Sequence, residues 1–142
     1  MYKLSRTQKA WASKKKQGLP PSALRTLVIR QKGRCALSQV KMVFDKKKGT
    51  PVQGGKGCHP LYAAVDHISP GSRIHFQLVC YALNDLKGHL PRDCFQALTP
   101  TSPWRNLMKK WRGQAQKGPN NRKAFKNLLR PDINNFKSTH LL

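Results

Sequence analysis

Apolar positions recur at helical spacing in two stretches of this chain and form short unbroken runs in two others. Leu24, Leu27 and Val28 stand at i, i+3, i+4, the stripe of an amphipathic helix. Ser22 is the expected cap and Gly33 the expected stop, so a helix is predicted over residues 22–30. Trp104, Leu107, Met108 and Trp111 extend the same pattern to i+7, behind Pro103, which suits a first helical turn. Between these stretches, residues 62–68 and 76–80 are apolar runs of strand length. The turn at Pro70-Gly71-Ser72-Arg73 joins them and can bring backbone close to a phosphate. Residues 35–37 and 40–44 read as a further strand pair, 84–90 as a helix and 92–98 as a short helix after it. Gly18-Leu19-Pro20-Pro21 ends any helix around Trp11, and Gly118-Pro119-Asn120-Asn121 separates a last basic helix expected at 122–129. The predicted class is α+β: a basic N-terminal arm over 1–21, a core over 22–100 and a basic helical extension over 101–142. There is no internal repeat.

Charge narrows the partners. Lys and Arg number 28 against five acids, all Asp, for a formal charge of +23. Such a chain repels itself unless it meets a polyanion. No apolar run approaches ~18 residues, so a membrane span is not expected. The basic N-terminus lacks the apolar stretch of a secretory signal. Nucleic acid is the expected partner. The basic residues expected on it are Lys46, Lys47 and Lys48 of a Lys/Gly-rich loop at 45–56, Arg73, and Arg105, Lys109 and Arg112 off the apolar stripe of the last long helix.

The scarcity of acids singles out Asp66, which alone among them lies in an apolar run and beside a histidine. A carboxylate there is costly to bury without a partner. Two strands and a helix can bring Asp66, His67 and Asn84 to one point, where a carboxylate, an imidazole and an amide oxygen suit one hard cation beside a general base. Ahead of them lies Gly33-Arg34-Cys35-Ala36-Leu37-Ser38; behind them Leu78-Val79-Cys80 leads to Asn84 and, three residues on, Lys87. This pattern resembles the HNH endonucleases over residues 31–98, most closely the small phage and homing enzymes. The resemblance implies a ββα-metal core, which the helix and strand pair read above would precede. It implies hydrolysis of DNA phosphodiesters, leaving 5′-phosphate and 3′-hydroxyl ends, in a bacterial or phage-infected cytoplasm. His67 takes the place of the general base, Asp66 and Asn84 those of the ligands to one Mg²⁺ or Mn²⁺, and Lys87 that of a basic residue that meets phosphate. His75 stands where the family has an Asn that ties the loop between the strands. His donates and accepts, so the role can pass to it. His59 and His89 are the alternative site histidines.

Cys35, Cys58, Cys80 and Cys94 raise zinc. Two Cys-x-x-Cys knuckles would be needed, and Ser38 and Leu83 stand where their second cysteines would fall. Structural zinc is therefore not expected, nor is any organic cofactor. Two other functions stay open: a nucleic-acid-binding protein on a weakened HNH scaffold, which His75 favours, and a ribosomal or RNA-processing component.

Overall fold

The computed structural model describes residues 1–45, 60–68, 75–88, 92–116, 135–136 and 138–139, with backbone alone at 92–94 and 114–116. Within them the chain is a mixed α+β fold: α1 (Arg6–Trp11), α2 (Pro21–Gln31), β1 (Ala63–His67), β2 (Phe76–Cys80), α3 (Tyr81–Gly88), α4 (Arg92–Leu98) and α5 (Ser102–Gln116). The loop at 45–56 after its first residue, the turn at 70–73 and the helix expected at 122–129 lie outside the described residues.

The first 20 residues do not form a detached arm. Ser5 and Gln8 cap α1 reciprocally: Gln8 N–H donates to Ser5 Oγ at 3.2 Å and Ser5 N–H to Gln8 Oε1 at 2.9 Å, a capping box. Gln8 is buried, and its side-chain Nε2–H donates to the Tyr2 hydroxyl at 2.7 Å. Trp11, 5% exposed, enters the core and meets Phe44 edge to face at 5.3 Å between ring centres. Burial of an indole and of Ala12 holds this basic segment against its own charge.

Helix α2 begins one residue before the expected cap. Pro21 occupies its first turn behind Pro20, and no side chain caps it; proline has no N–H to satisfy there. Leu24, Leu27 and Val28 are buried as their spacing predicts. Lys32 and Gly33 then turn left-handed, at φ 53° and 70°. A Cβ on Gly33 would stand 2.7 Å from Gln8 Nε2 and 2.9 Å from Tyr2 Oη. Gly33→Ala is therefore expected to lower stability by about 2 kcal/mol, measured as a drop in the denaturation midpoint. An unchanged midpoint would mean that the Tyr2–Gln8 bond does not hold this corner.

The strand pair expected at 35–37 and 40–44 is not formed. Cys35 N–H donates to Val40 O and Gln39 N–H to Cys35 O, both at 2.8 Å, and Gln39 adopts φ 64°. The chain reverses too tightly there for a ladder. Isolated bridges remain at Arg34–Lys41 and, parallel, at Val43–Tyr62.

The sheet has two antiparallel strands, with Asp66 opposite Gln77 and His67 opposite Phe76. Gln31 reaches from α2 to the outer side of β2. It donates to Leu78 O and accepts from Leu78 N–H, each at 2.8 Å, which satisfies an edge that would otherwise invite pairing. Helix α3 starts directly at the end of β2, at Tyr81 and not at Asn84. Tyr81 and Ala82 give their N–H groups to Tyr62 O at 2.8 Å and Pro60 O at 3.0 Å, so strand hands over to helix without a loop. Leu83 and Leu86 anchor α3 in the core. On α5, Trp104, Met108 and Trp111 are buried and Leu107 is half-buried. Trp104 packs between Phe95 and Phe136.

Candidate active site

The site is built at the loop end of the hairpin, where β1 ends and α3 returns to it. Asp66 is the second-last residue of β1 and its side chain is 11% exposed. Its Oδ2 accepts from Gln77 Nε2 across the strands at 2.9 Å and from Lys87 Nζ at 2.5 Å. Lys87, 16% exposed, also donates to the main-chain oxygen of His67 at 2.7 Å. Its ammonium lies 6.0 Å from the centre of the Phe95 ring. Three groups thus hold one lysine across the end of β1, and an ion pair this little exposed is stable only with such partners.

The other oxygen of Asp66, Oδ1, has no hydrogen-bond partner among the described residues. Asn84 precedes Lys87 by three positions, which puts both on one side of α3. It is half-buried, and its side-chain amide likewise has no partner among the described residues. A carboxylate oxygen and an amide oxygen are the donors that a hard divalent cation takes, with water completing its shell. Among the described residues no three His, Cys, Asp or Glu side chains gather.

His67 follows Asp66 in the strand, so it leaves β1 on the other face. Its half-buried ring lies against Phe76, its cross-strand partner, 4.7 Å between centres and tilted by 45°. His75 is exposed; its carbonyl accepts from Ile68 N–H at 3.0 Å and closes the strand end. Its imidazole makes no hydrogen bond among the described residues. Arg105, Lys109 and Arg112 are all exposed on one side of α5, away from the tryptophans. Lys46, Lys47, Lys48, Arg73, His59 and His89 fall outside the described residues. Lys87 is not a free phosphate ligand here: Asp66, the acid nearest to it, has taken its charge. Gln77 was not singled out from the sequence. The available signal was a lone polar residue in an apolar strand, two positions after His75.

The two half-knuckles meet behind this site. Cys35 and Cys80 are both fully buried, and Cys80 N–H donates to Cys35 Sγ at 3.3 Å. Ser38, 1% exposed, closes the same turn by accepting from Val40 N–H at 3.3 Å. The Cys80 thiol's hydrogen bond to Cys35 lowers the Cys35 thiol to about 6, against desolvation, with Ser38 and backbone N–H groups adding to it. Burial pushes Cys80 up, so the pair releases its first proton from Cys35. A depressed thiol stabilises the fold above its ordinary value of 9.0, and that contribution is lost as pH falls through about 6. Ultraviolet thiolate absorbance should therefore rise with a midpoint at about 6 and vanish in Cys35→Ser. A midpoint in the ordinary thiol range would contradict the pairing.

No family model matches the chain, and no curated protein or solved structure is significantly similar to it. No helix among the described residues is long and apolar enough to cross a membrane.

Proposed function

We propose that this protein is a metal-dependent DNA endonuclease of the HNH kind. The observation that carries the reading is the end of β1: a carboxylate with one oxygen unpartnered among the described residues, an imidazole next to it in the strand but on the other face, and a helix that brings Lys87 onto that carboxylate with Asn84 one turn before it. The net charge of +23 supports a nucleic-acid partner.

Asp66 and Asn84 would hold one Mg²⁺ or Mn²⁺, which supplies charge neutralisation at a phosphate as a Lewis acid. The chain's own residues do the rest. His67 accepts the proton of the attacking water at a ring nitrogen, and Phe76 fixes the ring's tilt. Gln77 holds the Asp66 carboxylate in orientation. Lys87, released from Asp66, is within reach of a phosphate oxygen at the strand end. Arg105, Lys109 and Arg112 offer a line of charge for backbone phosphates. The test is supercoiled plasmid with Mg²⁺: nicked or linear product with 5′-phosphate and 3′-hydroxyl ends is expected.

A second reading, a nucleic-acid-binding protein that no longer uses the ion, is favoured by one contact. Lys87 already neutralises Asp66. Lys87→Met separates the two. On the endonuclease reading, removing a cation from Asp66 should tighten Mn²⁺ binding by roughly tenfold in calorimetry. On the second reading neither the wild type nor the variant binds Mn²⁺ stoichiometrically.

A further inference from the structure

We propose that the corner where α2 ends and the chain reverses, carrying Arg30, Lys32, Arg34 and Lys41, is a clamp for the backbone phosphates of duplex DNA; the proposal rests on the nucleic-acid reading above. All four residues are exposed, and none is paired with an acid among the described residues.

Two of these charges are set against each other. Arg34 stands opposite Lys41 in an antiparallel bridge. On either side of the pair, Cys35 N–H donates to Val40 O at 2.8 Å and Met42 N–H to Gly33 O at 2.9 Å. Opposed residues flanked in this way, and not bonded to each other, have the closest side chains. Gly33, Cys35, Val40 and Met42 are buried, so Arg34 and Lys41 share the outer face. Like charges so placed are destabilising. The carbonyl end of α2 favours Arg30 and Lys32 nearby, but no acid offsets the pair of Arg34 and Lys41. A phosphate between them would. Arg34 is also pre-set for one. Its Nη1 donates to Gln39 O at 3.1 Å, and its other guanidinium N–H groups make no hydrogen bond among the described residues. A guanidinium fork held in this way matches phosphate oxygens.

The corner lies beside the candidate active site. Gln31 bonds to both main-chain groups of Leu78, and Ala36 N–H donates to Leu78 O at 3.0 Å. Leu78 follows Gln77, which holds Asp66. The corner is thus two strand spacings from β1, roughly 10 Å. A duplex reaches across that distance, its major groove alone being about 12 Å wide.

Lys41→Gln in the full chain tests this, because Lys41 is exposed and its change leaves the Arg34–Gln39 bond in place. Two readouts should move in opposite senses. The thermal midpoint of the free protein should rise by about 1–4 °C, as the repulsion is relieved. Affinity for duplex DNA, measured in chelator so that nothing is cut, should fall roughly fivefold. The slope of log affinity against log salt should flatten by about 0.9. Lys3→Gln, an exposed lysine of the N-terminal segment, controls for net charge and should reproduce neither change. A lowered midpoint in Lys41→Gln, unchanged DNA affinity, or equal effects from Lys3→Gln would overturn the proposal. Polyglutamate that loses as much affinity as DNA would overturn the assignment to phosphate. Wild type that cuts plasmid, with Lys41→Gln binding DNA equally well, sinks the clamp alone. The expected losses in Lys41→Gln, with plasmid left uncut by wild type, sink the endonuclease reading alone.

Discussion

His67→Ala should cut plasmid roughly 10²–10⁴-fold more slowly than wild type, the range for loss of a general base. Affinity for DNA measured in chelator should stay near wild type. The expectation rests on placement. His67 is next to the carboxylate that Gln77 and Lys87 orient, and its ring is seated on Phe76 rather than free to swing. The contacts that hold Asp66 come from the Gln77 and Lys87 side chains, and Lys87 meets His67 through its main-chain oxygen, which the substitution keeps. A variant that cuts at the wild-type rate would move the base elsewhere.

Salt should have the largest effect on affinity. If about six to ten of the basic residues meet phosphates, DNA affinity should fall by roughly 10³–10⁵ between about 50 and 200 mM salt. The slope of log affinity against log salt changes by about 0.9 for each phosphate contact. Replacing Arg105, Lys109 and Arg112 together by Gln should flatten that slope by about three such contacts, without loss of fold, because all three are exposed. An unchanged slope would remove α5 from the interface. Truncating residues 1–18 is a poor way to make this test, since it takes Trp11 and Ala12 out of the core.

Patterns of one residue type at one period were legible in the sequence. The apolar stripes of α2 and α5, the span of β2 and the span of α4 all appear where periodicity or run length puts them. What was missed depends on partners far away in the chain. The start of α3 could not be read at Tyr81 because its first N–H groups are satisfied by Pro60 and Tyr62. The reversal at 35–40 has apolar residues suited to strands, yet its hydrogen bonds close a turn. The N-terminal segment was read by its charge, although Ser5 and Gln8 carry the capping-box spacing and Trp11 is large enough to anchor it. At the site, Asp66 stood out because acids are so few. Its companion Gln77 comes from register, and Lys87, marked in the sequence as a residue for phosphate, is paired with Asp66 by the return of the helix, which only the folded chain displays. The same holds for Cys35 and Cys80, 45 residues apart and hydrogen-bonded.

The most direct measurement is conversion of supercoiled plasmid by wild type and Asp66→Ala, each with Mg²⁺ and with chelator. Nicked or linear DNA from wild type with Mg²⁺ alone, and none from Asp66→Ala although it still shifts DNA in a gel, is the predicted result. Plasmid left supercoiled by folded wild type, or cut equally well by Asp66→Ala or in chelator, would contradict the account.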